Sequence, residues 1–153
     1  MIPRPDLEAL GVSYRRIPLL SIGRDIYCDT RLILQILEKR FPPSAEHPSL
    51  SPAGLEGLTA LLAKFTIDSG VFARASQMIP PDGPVLKNPA FLKDREAFMG
   101  RSWQREDILK QRPEAMVHLR EAFGVVEALL ADGRVWIGGT QMATMADIEG
   151  MVV

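Results

Sequence analysis

Asp29-Thr30 has the clearest chemical use in this chain. Leu32, Ile33, Ile36, Leu37 and Phe41 behind it follow helical spacing, so the pair stands where a helix opens. The first backbone N–H groups of a helix lack partners within it and carry partial positive charge. They can hold a carboxylate, while the Asp29 side chain can pair with an ammonium group. The plainer reading makes Asp29 an N-cap worth ~1 kcal/mol. Pro18 lies in an apolar, strand-like run, where a residue without an N–H needs an edge or a special geometry. A cis Ile17–Pro18 bond would turn the Ile17 N–H and C=O toward a ligand; the plainer reading is a trans proline on an edge strand. Cys28 precedes the helix start, a position that lowers a thiol pKa, but alternation with Asp29 points it toward the core or a neighbouring helix.

Further along, Thr144-Met-Ala-Asp147 has the spacing of a capping box. The Thr144 oxygen would accept from the backbone N–H of Asp147, and the Asp147 carboxylate would reach back to the N–H of Thr144. Trp103 and Trp136, with Arg101 and Arg105, can line an apolar substrate pocket, or the tryptophans can simply pack in a core. His47 and His118 are far apart with no neighbouring cysteine, so no metal site is read.

The composition narrows the function classes. Of 153 residues, 46% are hydrophobic and 24% charged, and the net charge is −1 with no basic block. Attraction to nucleic acid or to anionic lipid has no support. No apolar run approaches the ~18 residues of a membrane span. Pro3, Pro5 and Asp6 interrupt the N-terminal stretch, so no apolar signal core is read there. One cysteine excludes an intramolecular disulfide, and a reducing cytoplasm is the simplest compartment.

The positioning elements change character along the chain. A short helix over Asp6 to Leu10 is stopped by Gly11. Arg16 to Ile22 and Asp25 to Cys28 lean toward strand, with a hairpin turn at Gly23-Arg24-Asp25. Pro42 to Pro52 reads as an interdomain linker and Ile79 to Pro84 as a long loop. Beyond the linker every signal is helical. Ser51-Pro52 opens a helix with Leu55, Leu58, Leu62 and Phe65 on one face, and Asn88-Pro89 opens another. Pro113 opens the strongest one, with Met116, Leu119, Phe123, Val126 and Leu130 as a continuous apolar seam ended by Asp132-Gly133. About two turns follow Thr144 to the end of the sequence.

In this order, three motifs resemble the glutathione S-transferase family. Arg16-Ile-Pro-Leu-Leu20 is similar to the strand that holds that family's cis-proline. Asp29-Thr30 is similar to its acidic-plus-hydroxyl motif, and Thr144-Met-Ala-Asp147, followed by Ile148, to the capping box of its second domain. The blocks Pro-Arg-Pro-Asp-Leu, Tyr-Arg-Arg-Ile-Pro and Tyr-Cys-Asp-Thr look closest to glutathione-transferase-like proteins of filamentous fungi. The resemblance runs from residue 3 to the last.

The resemblance implies an α+β chain. Residues 1–43 would form part of a thioredoxin-like glutathione-binding domain, a β-hairpin with helices. Residues 44–52 would be the linker, and 53–153 an all-α domain like the family's C-terminal one. Glutathione would be the co-substrate, with no metal. Ile17 and Pro18 would meet its cysteinyl part, and Asp29 and Thr30 its γ-glutamyl end, which presents both an ammonium and a carboxylate. A small-molecule electrophile would take the sulfur, in fungal secondary metabolism by analogy. The family's strand, helix and strand with the thiol-activating Tyr, Ser or Cys have no counterpart before Asp6, and its later helices none after Ile148. The reading therefore expects truncation at both ends, names no catalytic residue, and expects self-association or a homodimer. The alternative is a non-catalytic binding remnant or an incomplete gene product.

Overall fold

A computed structural model of the chain describes residues 4–14, 16–100 and 102–150. It divides into two compact units, 1–49 and 50–153, and the division falls within the proline-rich stretch from Pro42 to Pro52. The architecture is α+β, with helices and one two-stranded antiparallel sheet among the described residues.

In the first unit, helix α1 spans Pro5–Ala9. It closes where Gly11, at φ 71, donates to the Glu8 carbonyl and Val12 donates to that of Leu7. Those two bonds and the left-handed glycine make a Schellman stop. Strands β1 (Leu19–Ile22) and β2 (Asp25–Cys28) pair in the register Leu19↔Cys28 to Ile22↔Asp25. The two-residue loop Gly23-Arg24 has positive φ only at the glycine, as a type II′ turn requires. The strand is shorter than the Arg16–Ile22 run suggests. Pro18 has no N–H to give a ladder, and pairing begins just after it. Helix α2 (Thr30–Arg40) buries Ile33, whereas Leu32 and Phe41 from the same apolar pattern are exposed.

The second unit is helical: α3 (Glu56–Ala63), a π-helical turn (Lys64–Asp68), α4 (Val71–Ser76), a 3₁₀ turn (Pro84–Lys87), α5 (Pro89–Met99), α6 (Arg105–Leu129) and α7 (Met145–Gly150). Two expected starts move. Ser51-Pro52 does not open α3. Gly54, at φ 91, breaks the helical path, and its N–H goes to the Glu56 carboxylate at 2.8 Å. Pro113 does not open α6 but sits inside it. Glu106 and Asp107 in the first turn complement the helix dipole and buried Ile108 anchors that turn, so the helix begins at Arg105, eight residues before Pro113. Asn88 does cap α5, accepting from Ala90 at 3.0 Å and Phe91 at 3.3 Å, with Pro89 in the first turn.

Three apolar clusters hold this unit. Leu62, Ile137 and Ala146 tie α3 to α7; Val71, Leu119 and Ala122 tie α4 to α6; Leu86, Trp103 and Ile108 form the third. The buried side of α6 therefore runs through Ile108, Ala115, Leu119 and Ala122. Phe123, expected in the seam, stands exposed.

Candidate functional site

The β1–β2 register builds the site. Leu19↔Cys28 is the pair farthest from the turn, so Pro18, one residue before it, and Asp29, one residue after it, stand at the same end. Neighbouring strands in a ladder lie roughly 5 Å apart. The ribbon thus brings Ile17-Pro18 and Asp29-Thr30 to one edge. The Ile17–Pro18 bond is cis, and Ile17 is 75% exposed.

Asp29 occupies a conformation that costs a non-glycine residue free energy, φ 78. In return its Oδ1 accepts the Arg31 N–H at 2.9 Å and caps α2. The Asp29 carbonyl also takes the Ile33 N–H, at 2.9 Å. Asp29 and Thr30 are both exposed, so a carboxylate and a hydroxyl stand open to solvent at the start of an eleven-residue helix. That arrangement can receive a small molecule bearing an ammonium and a carboxylate. Cys28 is half-buried opposite Leu19.

The other candidates separate. Trp103 is buried against Phe91, with ring centroids 5.7 Å apart. Arg105 turns to Asp82 at 2.9 Å, and that hydrogen bond raises its pKa. Trp136 lines a different place, a cleft to which Trp103 does not contribute. Arg101 lies outside the described residues. The proposed pocket of two tryptophans and two arginines is therefore not assembled from its described members. His47 packs edge-on to Phe41, and no group of three or more His, Cys, Asp or Glu side chains is placed to hold a metal among the described residues.

Thr144 and Asp147 do meet, with altered roles. Asp147 Oδ2 accepts the Thr144 N–H at 2.7 Å, as the capping box requires. The Thr144 hydroxyl, however, donates to the same oxygen at 2.8 Å instead of accepting from Asp147. The Asp147 N–H goes to the Thr144 carbonyl at 3.1 Å. The short Asp side chain brings its carboxylate close enough to accept the hydroxyl's hydrogen bond as well.

Sequence reasoning misses the setting of Arg95. Its guanidinium lies 5.3 Å from the Phe91 ring centroid, 5.6 Å from that of Phe98 and 5.8 Å from that of Trp103. Arg95 follows Phe91 and precedes Phe98 by helical steps of four and three, a spacing that places cation and rings together.

The described elements define an α+β protein with an open polar edge on its ribbon and a separate helical unit. The chain belongs to the family described as Domain of unknown function (DUF7962), whose pattern matches residues 74–153. That span lies in the helical unit and does not include the ribbon. No curated protein and no solved structure matches the chain.

Proposed function

We propose that this is a glutathione S-transferase-like protein whose ribbon end grips glutathione. The observation that carries the reading is the pairing register, which brings Ile17-Pro18 and the capped helix start at Asp29-Thr30 to one end of the ribbon. Asp29 pairs with the γ-glutamyl ammonium through the oxygen not engaged by Arg31, and the Thr30 hydroxyl, with the N–H groups of the first turn other than those of Arg31 and Ile33, takes its carboxylate. The Ile17 backbone pairs with the cysteinyl part in a short β-like ladder. The thioredoxin-like character of residues 1–43 and the transferase-like character of 53–153 belong to the same proposal. Chemically, the glutathione thiol would lose its proton to solvent and the thiolate would bond to an electrophilic carbon of a small apolar molecule, either expelling a leaving group with its bonding pair or adding to an activated double bond that then takes a proton from water. No residue of this chain is assigned to stabilise that thiolate.

Calorimetric titration with glutathione tests the reading. Saturable heat from reduced glutathione, lost when the γ-glutamyl amine is acetylated, supports it. No heat up to millimolar concentration overturns it. Turnover of a chlorodinitrobenzene electrophile, measured alongside, separates binding from catalysis.

A further inference from the structure

We infer that the half-covered face of α5 docks an acidic segment of a partner protein, with Arg95 receiving a carboxylate. At ~100° per residue, Phe91, Leu92, Arg95, Phe98 and Met99 fall on one face of this helix, and Arg95 stands near its middle. Ala90, Lys93 and Ala97 make the exposed back. A surface helix ordinarily buries its apolar stripe against its own domain. Here Phe91 and Leu92 pack on the cluster of Leu86, Trp103 and Ile108. Yet α5 has no fully buried residue, and all five residues of the face are half-buried.

The cation at the centre decides what can cover that face. The Arg95 Nε–H is covered and finds no acceptor among the described residues. Phe91, Phe98 and Trp103 stabilise the charge through their rings, but a ring is a weak hydrogen-bond acceptor beside a carboxylate. The acidic side chains around it are committed elsewhere: Asp82 to Arg105 at 2.9 Å, Glu96 to Gln104 at 2.6 Å and Asp107 to Ser102 at 2.7 Å. Asp94 is engaged as well, and adjacent positions of a helix do not face each other. A purely apolar partner would bury the guanidinium further with no opposite charge. An acidic one supplies paired acceptors to its planar fork.

The number of charges and the shape narrow the partner. One guanidinium matches the single charge of a carboxylate. A phosphorylated residue carries more charge and is met by clusters of arginines, whereas Lys93 stands on the back of α5 and Arg105 is held by Asp82. None of the five face residues lines the two hollows beside α4 and α6. Small free acids are held in concave sites, while arginine and aromatic side chains on an open helix face are what protein interfaces concentrate. All of these residues belong to the helical unit, so the inference does not depend on glutathione binding at the ribbon.

Fluorescence anisotropy of the full-length chain with a fluorescein-labelled short peptide of alternating glutamate and leucine provides the test. Binding should saturate, and a peptide with glutamine in place of glutamate should bind about tenfold more weakly or worse. Arg95→Gln should cost about tenfold or more. Arg95→Lys, which keeps the charge but loses the fork, should cost about three- to fivefold. Lys93→Gln, on the back of the helix, should stay within about twofold. In the parent chain the peptide should shift the Arg95 Nε–H resonance, assigned by its absence from Arg95→Lys. Circular dichroism checks that each variant keeps its helices, and the resonance keeps the test alive if Arg95→Gln does not fold. No saturable binding up to about 1 mM, equal affinity for the glutamine peptide, an unmoved Nε–H signal, or equal losses in Lys93→Gln and Arg95→Gln overturns the inference. So does tighter binding of a phosphoserine version, which would make this a phosphate site, or displacement by equimolar benzoate, which would make it a site for small acids.

Discussion

Asp147 accepts the backbone N–H of Ile137 at 2.7 Å, across the loop that joins α6 to α7. Its other oxygen takes the N–H and the hydroxyl of Thr144. One buried carboxylate thus fixes both the loop and the start of α7, next to the apolar cluster of Leu62, Ile137 and Ala146. Removing it leaves buried donors unpaired, each costing about 1–3 kcal/mol. Asp147→Ala should therefore destabilise the helical unit by about 3–5 kcal/mol, and Thr144→Val, which removes only the hydroxyl, by about 1 kcal/mol. Urea unfolding followed by helical circular dichroism measures both. Equal losses in the two variants would show that the bonds from the Ile137 and Thr144 N–H groups contribute little.

Pro113 makes the opposite prediction. It lies inside α6, where it supplies no N–H to the Leu109 carbonyl and crowds the preceding turn. Its side is exposed, so no packing depends on the ring. Pro113→Ala should raise stability by about 1–3 kcal/mol. A lower unfolding midpoint would mean that the proline sets a bend the bundle needs.

Local chemistry made some elements legible and left others hidden. Gly23-Arg24 declares the hairpin, and Asn88-Pro89 the start of α5, because the turn and the cap are each set by a few adjacent residues. Pro113 misleads for the same reason: a proline is favoured at a helix start, but burial of Ile108 and the acidic turn before it extend α6 backward. Phe123 fits the 3.6-residue period of a core seam, yet periodicity cannot say whether a neighbour covers that face. At the ribbon, the motif locates Ile17-Pro18 and Asp29-Thr30 separately, and only the pairing register shows that they share an end. The cleft is space between segments distant in sequence, from Phe65 to Gly150, and no local pattern encodes it.

Asp132 gives a pH-dependent contact at the end of α6. Hydrogen bonds from the Arg134 guanidinium, and next from its backbone N–H, hold the Asp132 carboxyl down from 3.8 to about 2. The folded value lies below the unfolded one, so the contribution is complete above about pH 4 and is lost as pH falls toward 2. The pair is exposed and should also weaken with salt. Carboxyl carbon NMR should place the Asp132 midpoint near 2. Arg134→Met should move it upward but not all the way, because the backbone N–H bond at 3.1 Å remains. A midpoint that ignores the substitution would remove the guanidinium as the cause.

Asp29→Asn separates the two roles proposed for this residue. Asparagine tolerates positive φ better than most side chains, and its amide oxygen can still accept the Arg31 N–H that caps α2. The negative charge is what disappears. Helix stability should change by no more than about 0.5 kcal/mol, while glutathione affinity should fall about three- to tenfold, because an ammonium at a solvent-exposed site loses its charged partner. Asp29→Gly should differ: it relieves the φ of 78 but forfeits both cap and charge. Calorimetry of both variants, read beside their thermal unfolding, decides the matter. If Asp29→Asn binds glutathione as the parent chain does, the carboxylate is a cap alone and the ammonium must be recognised elsewhere.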